Sequence, residues 1–326
     1  MREQISQKDC FWYEKPAEEW IEALPLGNGR LGAMVYGGTV EEKIQIDESS
    51  FWSGEASNQN NRADSQSLLW KIREALQKEN YEEADLLGHI FVGRKNQYGT
   101  NMPVGNLHLR IEGLQSTESG SILSGENISG YMRSLALEEG IARTSFAAGG
   151  ISFEREAFLS NPAQTAVFRM QADAPFDLGI WYEGIETKVE ITGALPEKEG
   201  ISVFSLAGDA RESLHSNGNC GVHLEGCLAL EHDGTCQYEN AEIRITGCTT
   251  MVVYLDLETN MFLQEPGKLV SERVFAAARK GFGALKAEHI ADVSALYERV
   301  RLNLGDGERG SLPTDGPTYS VPHRGE

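Results

Sequence analysis

The sequence predicts a mostly β protein: a large antiparallel β-sandwich (a supersandwich) with a short helical insertion and C-terminal linker helices. Three observations carry this. Between Tyr98 and Asn260, eight short runs (LHLRI, ARTSFAA, SFEREAFLS, TAVFRMQA, FDLGIWYEG, GVHLEGCLAL, AEIRITG and MVVYLDL) are separated by Gly, Asn, Asp or Pro turns. Ahead of them lies a stretch with helical periodicity, and at Gly267 the period turns helical again. Strands in succession, without a helix between each pair, argue for an antiparallel sandwich and against a βαβ fold.

Residues 11–56 are strands and turns. Leu31, Ala33 and Val35 alternate with Gly32, Met34 and Tyr36, Gly37-Gly38 turns the chain, and Ile44 and Ile46 alternate with polar neighbours. Residues 57–66 form a polar loop. Leu68, Leu69, Ile72, Ala75 and Leu76 then make one apolar helical stripe, with Asp64 and Ser65 as candidate N-caps. A second short helix starts near Asn80 and carries Tyr81, Ala84 and Leu87. After the strands, Leu269, Val270, Val274, Ala277 and Ala278 predict a helix to about Lys280. Ile290, Val293, Leu296, Tyr297 and Val300 predict another from Ala284 to Leu304. The expected organisation is a β domain over 1–265 with its helical insertion at about 64–92, a helical linker over 266–304, and a disordered Gly- and Pro-rich tail over 305–326.

With 49 acidic against 29 basic residues, the chain has a formal net charge of −20. Such a surface repels phosphate backbones and anionic lipid, so no nucleic-acid or membrane partner is expected. The N-terminus lacks the apolar run of a secretory leader, and the cysteines are five, an odd number with no Cys-x-x-Cys; the expectation is reduced thiols in the cytoplasm. His215, Cys220, His223, Cys227, His232 and Cys236 interleave, but without the close pairs that structural zinc requires. No metal and no cofactor are expected.

Two segments draw chemical interest. In Trp20–Val35 (WIEALPLGNGRLGAMV), two glycines flank Asn28 and Arg30 follows, a tight turn delivering a guanidinium to the start of a strand. Arg30 suits a carboxylate or sugar hydroxyls; the plainer reading is a turn whose arginine pairs with a nearby acid. GNGRLG matches G-x-G-x-x-G in form, yet a strand follows it where a dinucleotide site needs a helix. In IQIDESSFWSG (Ile44–Gly54), Asp47 and Glu48 precede Phe51 and Trp52. Acids beside an indole are what sugar sites use, although a core aromatic with a turn-capping acid is the plainer reading. A polar loop with Tyr98 follows the insertion.

Together these segments resemble glycoside hydrolase family 95, the α-L-fucosidase family, related to the glycosyl hydrolase family 65 N-terminal domain. That family opens with W-x-x-A-L-P-L/I-G-N-G-R-L/M-G-A-M-V, followed by an L-N-E-x-S/T-L/I-W-S-G segment and a Y-Q/E-P-L-G-D/N-L run. Here these fall at Trp20–Val35, Ile46–Gly54 and Tyr98–Leu107. Asp47 stands where the family usually has Asn, and the spacing from Tyr98 to Pro103 and Gly105 is longer. The likeness continues through Thr259–Phe262 (TNMF), His289–Gly305 and Leu312–Asp315 (LPTD).

The resemblance implies inverting hydrolysis of an α-L-fucosyl linkage, commonly α-1,2 to galactose, by residues of an α/α barrel that follows this domain. After LPTD the sequence departs from the family, so the expectation is a chain truncated before the catalytic barrel, inactive alone, with no catalytic residue to carry over. Its expected partners are that barrel domain, missing or supplied in trans, and a fucosylated oligosaccharide as substrate of the complete enzyme. The residues expected to face the barrel or a glycan are Asn28, Arg30, Glu48, Trp52 and Tyr98. Asp47, Asp209, Glu212, Asp256 and Glu258 are further acids, with Asp256 and Glu258 expected to form a like-charged strip on an outer strand face. The alternative is a stand-alone carbohydrate-binding module acting through Trp52 and Tyr98. The linker residues Val293, Leu296, Tyr297 and Val300 are expected to be exposed.

Overall fold

The computed structural model describes residues 10–54, 63–91, 98–114, 128–185, 187–198, 201–302 and 312–315. In chain order, β1 (Cys10–Tyr13), β2 (Leu24–Gly27), β3 (Leu31–Val35) and β4 (Glu41–Glu48) precede α1 (Ser65–Gln77) and α2 (Tyr81–Phe91). There follow β5 (Gly105–Ile111), β6 (Ser129–Ala136), β7 (Ile141–Ala148), β8 (Ile151–Ser160), β9 (Thr165–Gly184), β10 (Glu190–Lys198) and β11 (Ile201–Asp209). Last come β12 (His223–His232), β13 (Thr235–Glu239), β14 (Glu242–Thr259), α3 (Pro266–Lys280) and α4 (Phe282–Tyr297).

The strands form one hydrogen-bonded antiparallel network that folds into two layers, because β9 and β14 belong to both. In the first layer, residues 165–172 of β9 pair with β8 and the second half of β14 pairs with β12, giving the order β1-β6-β7-β8-β9-β14-β12-β11-β10. In the second, residues 178–184 of β9 pair with β5, which continues through β4 and β3 to β2, while the first half of β14 carries β13. The sequence suggests separate strands on either side of Pro175 and Gly247, but each pair is one strand with a bend. Register shifts around Cys248 interrupt the β9–β14 ladder there, which is where a proline without an N–H is tolerated and where a long strand can change direction.

The main core lies between the layers. Leu31, Ala33, Val35, Ile44 and Ile46 from the second layer meet Phe168, Met170, Val253 and Leu255 from the first, so the alternation seen in the sequence is the inward face. A second core lies on the outer side of the first layer, where Val252, Tyr254, Val167 and Phe158 are covered by Val270, Val274, Ala277, Ala278 and Leu285 of α3 and α4. Pro266 opens α3, and Gly281, with φ +78, ends it by donating to the carbonyls of Ala277 and Ala278 before α4 begins.

The linker helices are therefore more buried than expected. Of the four residues expected to be exposed, Val293 and Tyr297 are half-buried and only Leu296 and Val300, at the end of α4 and beyond, are exposed. Most of the tail lies outside the described residues, but Leu312–Asp315 has a definite place. The Thr314 N–H donates to the Trp12 carbonyl, and the Trp12 N–H donates to Thr314 Oγ1, so LPTD lies along the edge strand β1. The sequence treated this segment as structureless because its composition hides a two-bond docking.

Candidate functional site

The turn between β2 and β3 is fixed first. Gly29 has φ +89, a conformation that favours glycine. Asn28 is buried, and its Oδ1 accepts from the N–H groups of Arg30 (3.1 Å) and Leu31 (2.8 Å). Its Nδ2 donates to the Ser160 carbonyl, and Asn161 donates back to the Asn28 carbonyl. Asn28 thus locks the hairpin onto the β8–β9 turn.

Locked in this way, the turn aims Arg30 at the C-terminal end of β14. The guanidinium donates to the Gln164 side chain and carbonyl (3.2 Å each) and makes short contacts with the Leu257 carbonyl and Asp256. It also lies 3.8 Å from Glu48 and 3.6 Å from Glu258. Arg273, projecting from α3, reaches Glu258 at 3.0 Å and Asp256 at 3.4 Å. Three carboxylates and two guanidiniums form one network, with Asp256 at 0% and Glu48 at 1% exposure. Removing one partner from such a network strands a buried charge, which costs about 3–5 kcal/mol.

Glu48 ends β4 on the inward phase set by Ile44 and Ile46, which explains its burial. Its Oε2 accepts from the Ser50 N–H (2.8 Å) and hydroxyl (2.6 Å), and the Ser50 hydroxyl meets Thr259 Oγ1 at 2.6 Å. Burial pushes the Glu48 carboxyl up, against the pull of the Ser50 hydrogen bonds and Arg30. Burial likewise pushes Asp256 up, with Arg30 and Arg273 opposing. Asp256 and Glu258 do share a strand face, but it is no solvated strip: it is the face that α3 and Arg30 cover. Their alternation with Leu255 and Leu257 could have signalled this, had the covering helix been foreseen.

Beside the network, Trp52 is half-buried and donates its indole N–H to the Tyr98 carbonyl (2.5 Å), while its own carbonyl accepts from Val222. Tyr98 is exposed and sits edge-on to His215, with ring centroids 6.3 Å apart. Glu212 pins that loop by accepting from Ser53 Oγ (2.9 Å) and from the N–H groups of Leu214 and His215. Backbone approach between Gly54 and Gly99 is so close that a Cβ on Gly54 would lie 2.2 Å from the Tyr98 carbonyl oxygen. The structure thus joins Arg30 to Glu48 directly and Trp52 to Tyr98 directly, with residues 48–53 linking the two groups along one rim. Gln164, Ser50, Thr259 and Arg273 complete the rim and have no sequence signal beyond their residue type.

Asp47, on the outward phase of β4, differs from its neighbour. Its Oδ1 is buried without a hydrogen-bond partner, and burial, reinforced by the Glu48 charge, pushes its carboxyl up to about 6. Asp209 is also outside the network, paired with His223 at 2.9 Å. Among the described residues, no three His, Cys, Asp or Glu side chains converge as metal ligands, and the interleaved His and Cys residues are spread from the 210–222 loop to β13. Burial pushes the Cys227 thiol up to about 11 and Cys248 up to about 12, so both are unreactive.

Comparison with known proteins agrees with this architecture. A family profile described as glycosyl hydrolase family 65, N-terminal domain, matches residues 11–262. Alpha-L-fucosidase 2 of Arabidopsis thaliana is 26% identical over 320 residues, covering 89% of this chain and 36% of that protein. Probable alpha-fucosidase A of Aspergillus oryzae is 21% identical over 331 residues, covering 93% and 42%. The chain therefore spans well under half the length of these relatives. A solved structure named "Putative kojibiose phosphorylase from human microbiome" superposes with a TM-score of 0.50 at 10% identity, over 89% of this chain and 39% of that one, a likeness of fold. The first-layer and second-layer strands that build the rim all lie within the matched residues, and the chain belongs to the glycosyl hydrolase family 65 N-terminal domain family, the β-rich N-terminal domain of a glycoside hydrolase.

Proposed function

We propose that this chain is the non-catalytic N-terminal domain of an α-L-fucosidase-type enzyme, whose complete form hydrolyses an α-L-fucosyl linkage with inversion. The observation that carries the non-catalytic part is the state of the rim acids. Inverting hydrolysis needs one carboxyl to protonate the leaving oxygen and a second group to activate water on the opposite face. Glu48 and Asp256 are sealed from solvent and, with Glu258, bound to Arg30 and Arg273, so no pair of them is presented to a glycosidic bond. The network is a brace that holds the β2–β3 turn, the end of β14 and α3 in one geometry. In this reading residues 1–265 are the β domain, 266–304 connect it to an α/α-barrel catalytic domain, and the rim with Trp52 and Tyr98 faces that domain.

A carbohydrate-binding module acting through Trp52 and Tyr98 is less well supported, because the indole N–H is already spent on the Tyr98 carbonyl and the Trp52 ring is half-buried. The deciding experiment is incubation of the chain with 2′-fucosyllactose and chromatographic detection of free fucose. No release is expected; release that persists in Glu48→Gln and Glu258→Gln protein or is abolished by either would equally sink the non-catalytic reading.

A further inference from the structure

The chain contains two asparagines followed by glycine, Asn28-Gly29 and Asn217-Gly218. Such a pair is labile in principle, because the next backbone nitrogen can close a five-membered ring on the side-chain amide carbon. Glycine, having no Cβ, lets that nitrogen approach. The fold treats the two pairs in opposite ways.

Asn28 is 5% exposed, and both ends of its amide are held. Oδ1 accepts from the N–H groups of Arg30 and Leu31, and Nδ2 donates to the Ser160 carbonyl. Turning the amide carbon toward the Gly29 nitrogen would break these bonds inside a packed turn. Asn217 is exposed, in the loop between β11 and β12. Its Oδ1 accepts from the Asn219 N–H at 2.9 Å, and the Gly218 N–H donates to Ser216 Oγ at 3.2 Å. Gly218 has φ +74, and a Cβ built there would meet no heavy atom nearer than 3.9 Å, so the attacking residue has open space around it.

We propose that Asn217 is a site of spontaneous covalent modification, deamidation through a cyclic imide, independent of the role proposed for the rim. The Gly218 nitrogen bonds to the Asn217 side-chain carbon while its proton passes to hydroxide. The bond from that carbon to Nδ2 breaks, and Nδ2, protonated by water, leaves as ammonia. Water then adds to either imide carbonyl and opens the ring, leaving aspartate or isoaspartate at position 217. The sequence consumes a water, releases an ammonia and oxidises nothing. Two local contacts favour it. The Asn219 N–H points at the oxygen on which charge gathers in the tetrahedral intermediate, and Ser216 Oγ accepts from the very N–H that must be lost. The product places a new negative charge in the loop that Glu212 ties to Ser53 and that the His215 carbonyl ties to the Gly99 N–H.

The test incubates the chain at mildly alkaline pH in isotopically heavy water-oxygen, folded and in urea, and follows each peptide by mass spectrometry. Conversion appears as amide replaced by carboxyl with uptake of the label. In the folded chain the Asn217 peptide is expected to convert at least about tenfold faster than the Asn28 peptide, a ratio that the breaking of one or two buried hydrogen bonds already produces. In urea, where both pairs are free, the two rates are expected to converge. Asn217→Gln, whose ring would have one more member, is expected to keep its amide throughout. The proposal is overturned if the folded chain leaves Asn217 intact while urea converts it, if the two pairs convert alike in the folded chain, or if the Asn217→Gln peptide converts as fast as the native one.

Discussion

The pair α3–α4 lays its apolar stripe on the first layer, whereas α1–α2 pack chiefly on each other and leave Trp70, Leu76, Tyr81 and Leu86 exposed. Both pairs announce themselves in the sequence by the same helical periodicity. In α3 the stripe residues Val270 and Val274 are both 0% exposed, while in α1 the stripe Leu68, Leu69, Ile72, Ala75 and Leu76 buries only Leu68 and Ala75. A stripe records that a helix needs cover and says nothing about what covers it. For α3 and α4 the cover is a sheet face that the same chain supplies, anchored at both ends by side chains: Arg273 to Glu258, Lys286 to Glu156, and His289 to the Gly140 carbonyl. For α1 and α2 the anchors are local, such as Asn80, which accepts from the Glu83 N–H and donates to its carboxylate.

The largest expected effect tests whether the difference is energetic. Phe158 of β8 is 0% exposed and packs against Phe282 and His289 of α4, at ring separations of 5.8 and 4.8 Å. Phe158→Ala is expected to destabilise the protein by about 3–5 kcal/mol in urea unfolding, with loss of amide protection in α4. A cost as small as that of an exposed substitution would show that α4 docks loosely and that the two pairs are alike.

An intermediate effect comes from pH. Burial pushes His289 below the ordinary histidine value, so it is neutral in the fold, with Nε2 on the Gly140 carbonyl and Nδ1 buried without a partner. Because the folded value is depressed, the unfolded chain binds a proton first. Stability from this site is therefore fully present above the unfolded value of about 6.5 and is lost as pH falls below it. The expected slope is up to about 1.4 kcal/mol per pH unit until the folded value is reached. Unfolding measured from pH 7.5 down to 5 should show that slope in the native chain and a reduced one in His289→Gln. An equal slope in both proteins would place the acid sensitivity elsewhere and remove α4 from the contrast.

Much of this was legible in the sequence, and the gaps have physical causes. Period-two alternation in β3 and β4 identified the inward residues, because one face of each strand is buried and the other is not. The pairing of Arg30 with an acid was foreseen as a type of contact, yet its main partner Asp256 lies 226 residues away and is brought there by the bend of β14. No local pattern encodes that bend: Pro175 and Gly247 look like chain reversals until the two long strands are seen to pair across both layers. Asp256 and Glu258 read as solvated for the same reason, since two acids on alternate positions look alike whether water or a pair of arginines faces them.

The smallest expected effect is the sharpest on the α1–α2 side. Leu86 and Ile90 of α2 are 62% and 42% exposed, so Leu86→Lys with Ile90→Lys removes little buried area, and lysine is a good helix former. The unfolding free energy is expected to stay within about 0.5 kcal/mol of the native chain, while self-association, followed by sedimentation at rising concentration, decreases because an apolar surface has been made polar. Amides of α1 and α2 should exchange faster than those of α3 and α4 in both proteins, since a helical hairpin that packs chiefly on itself opens locally at low cost. A loss of stability comparable to that of Phe158→Ala would mean that these side chains are buried in solution, most simply against a second copy of the chain, and the two helical pairs would then differ only in whose surface covers them.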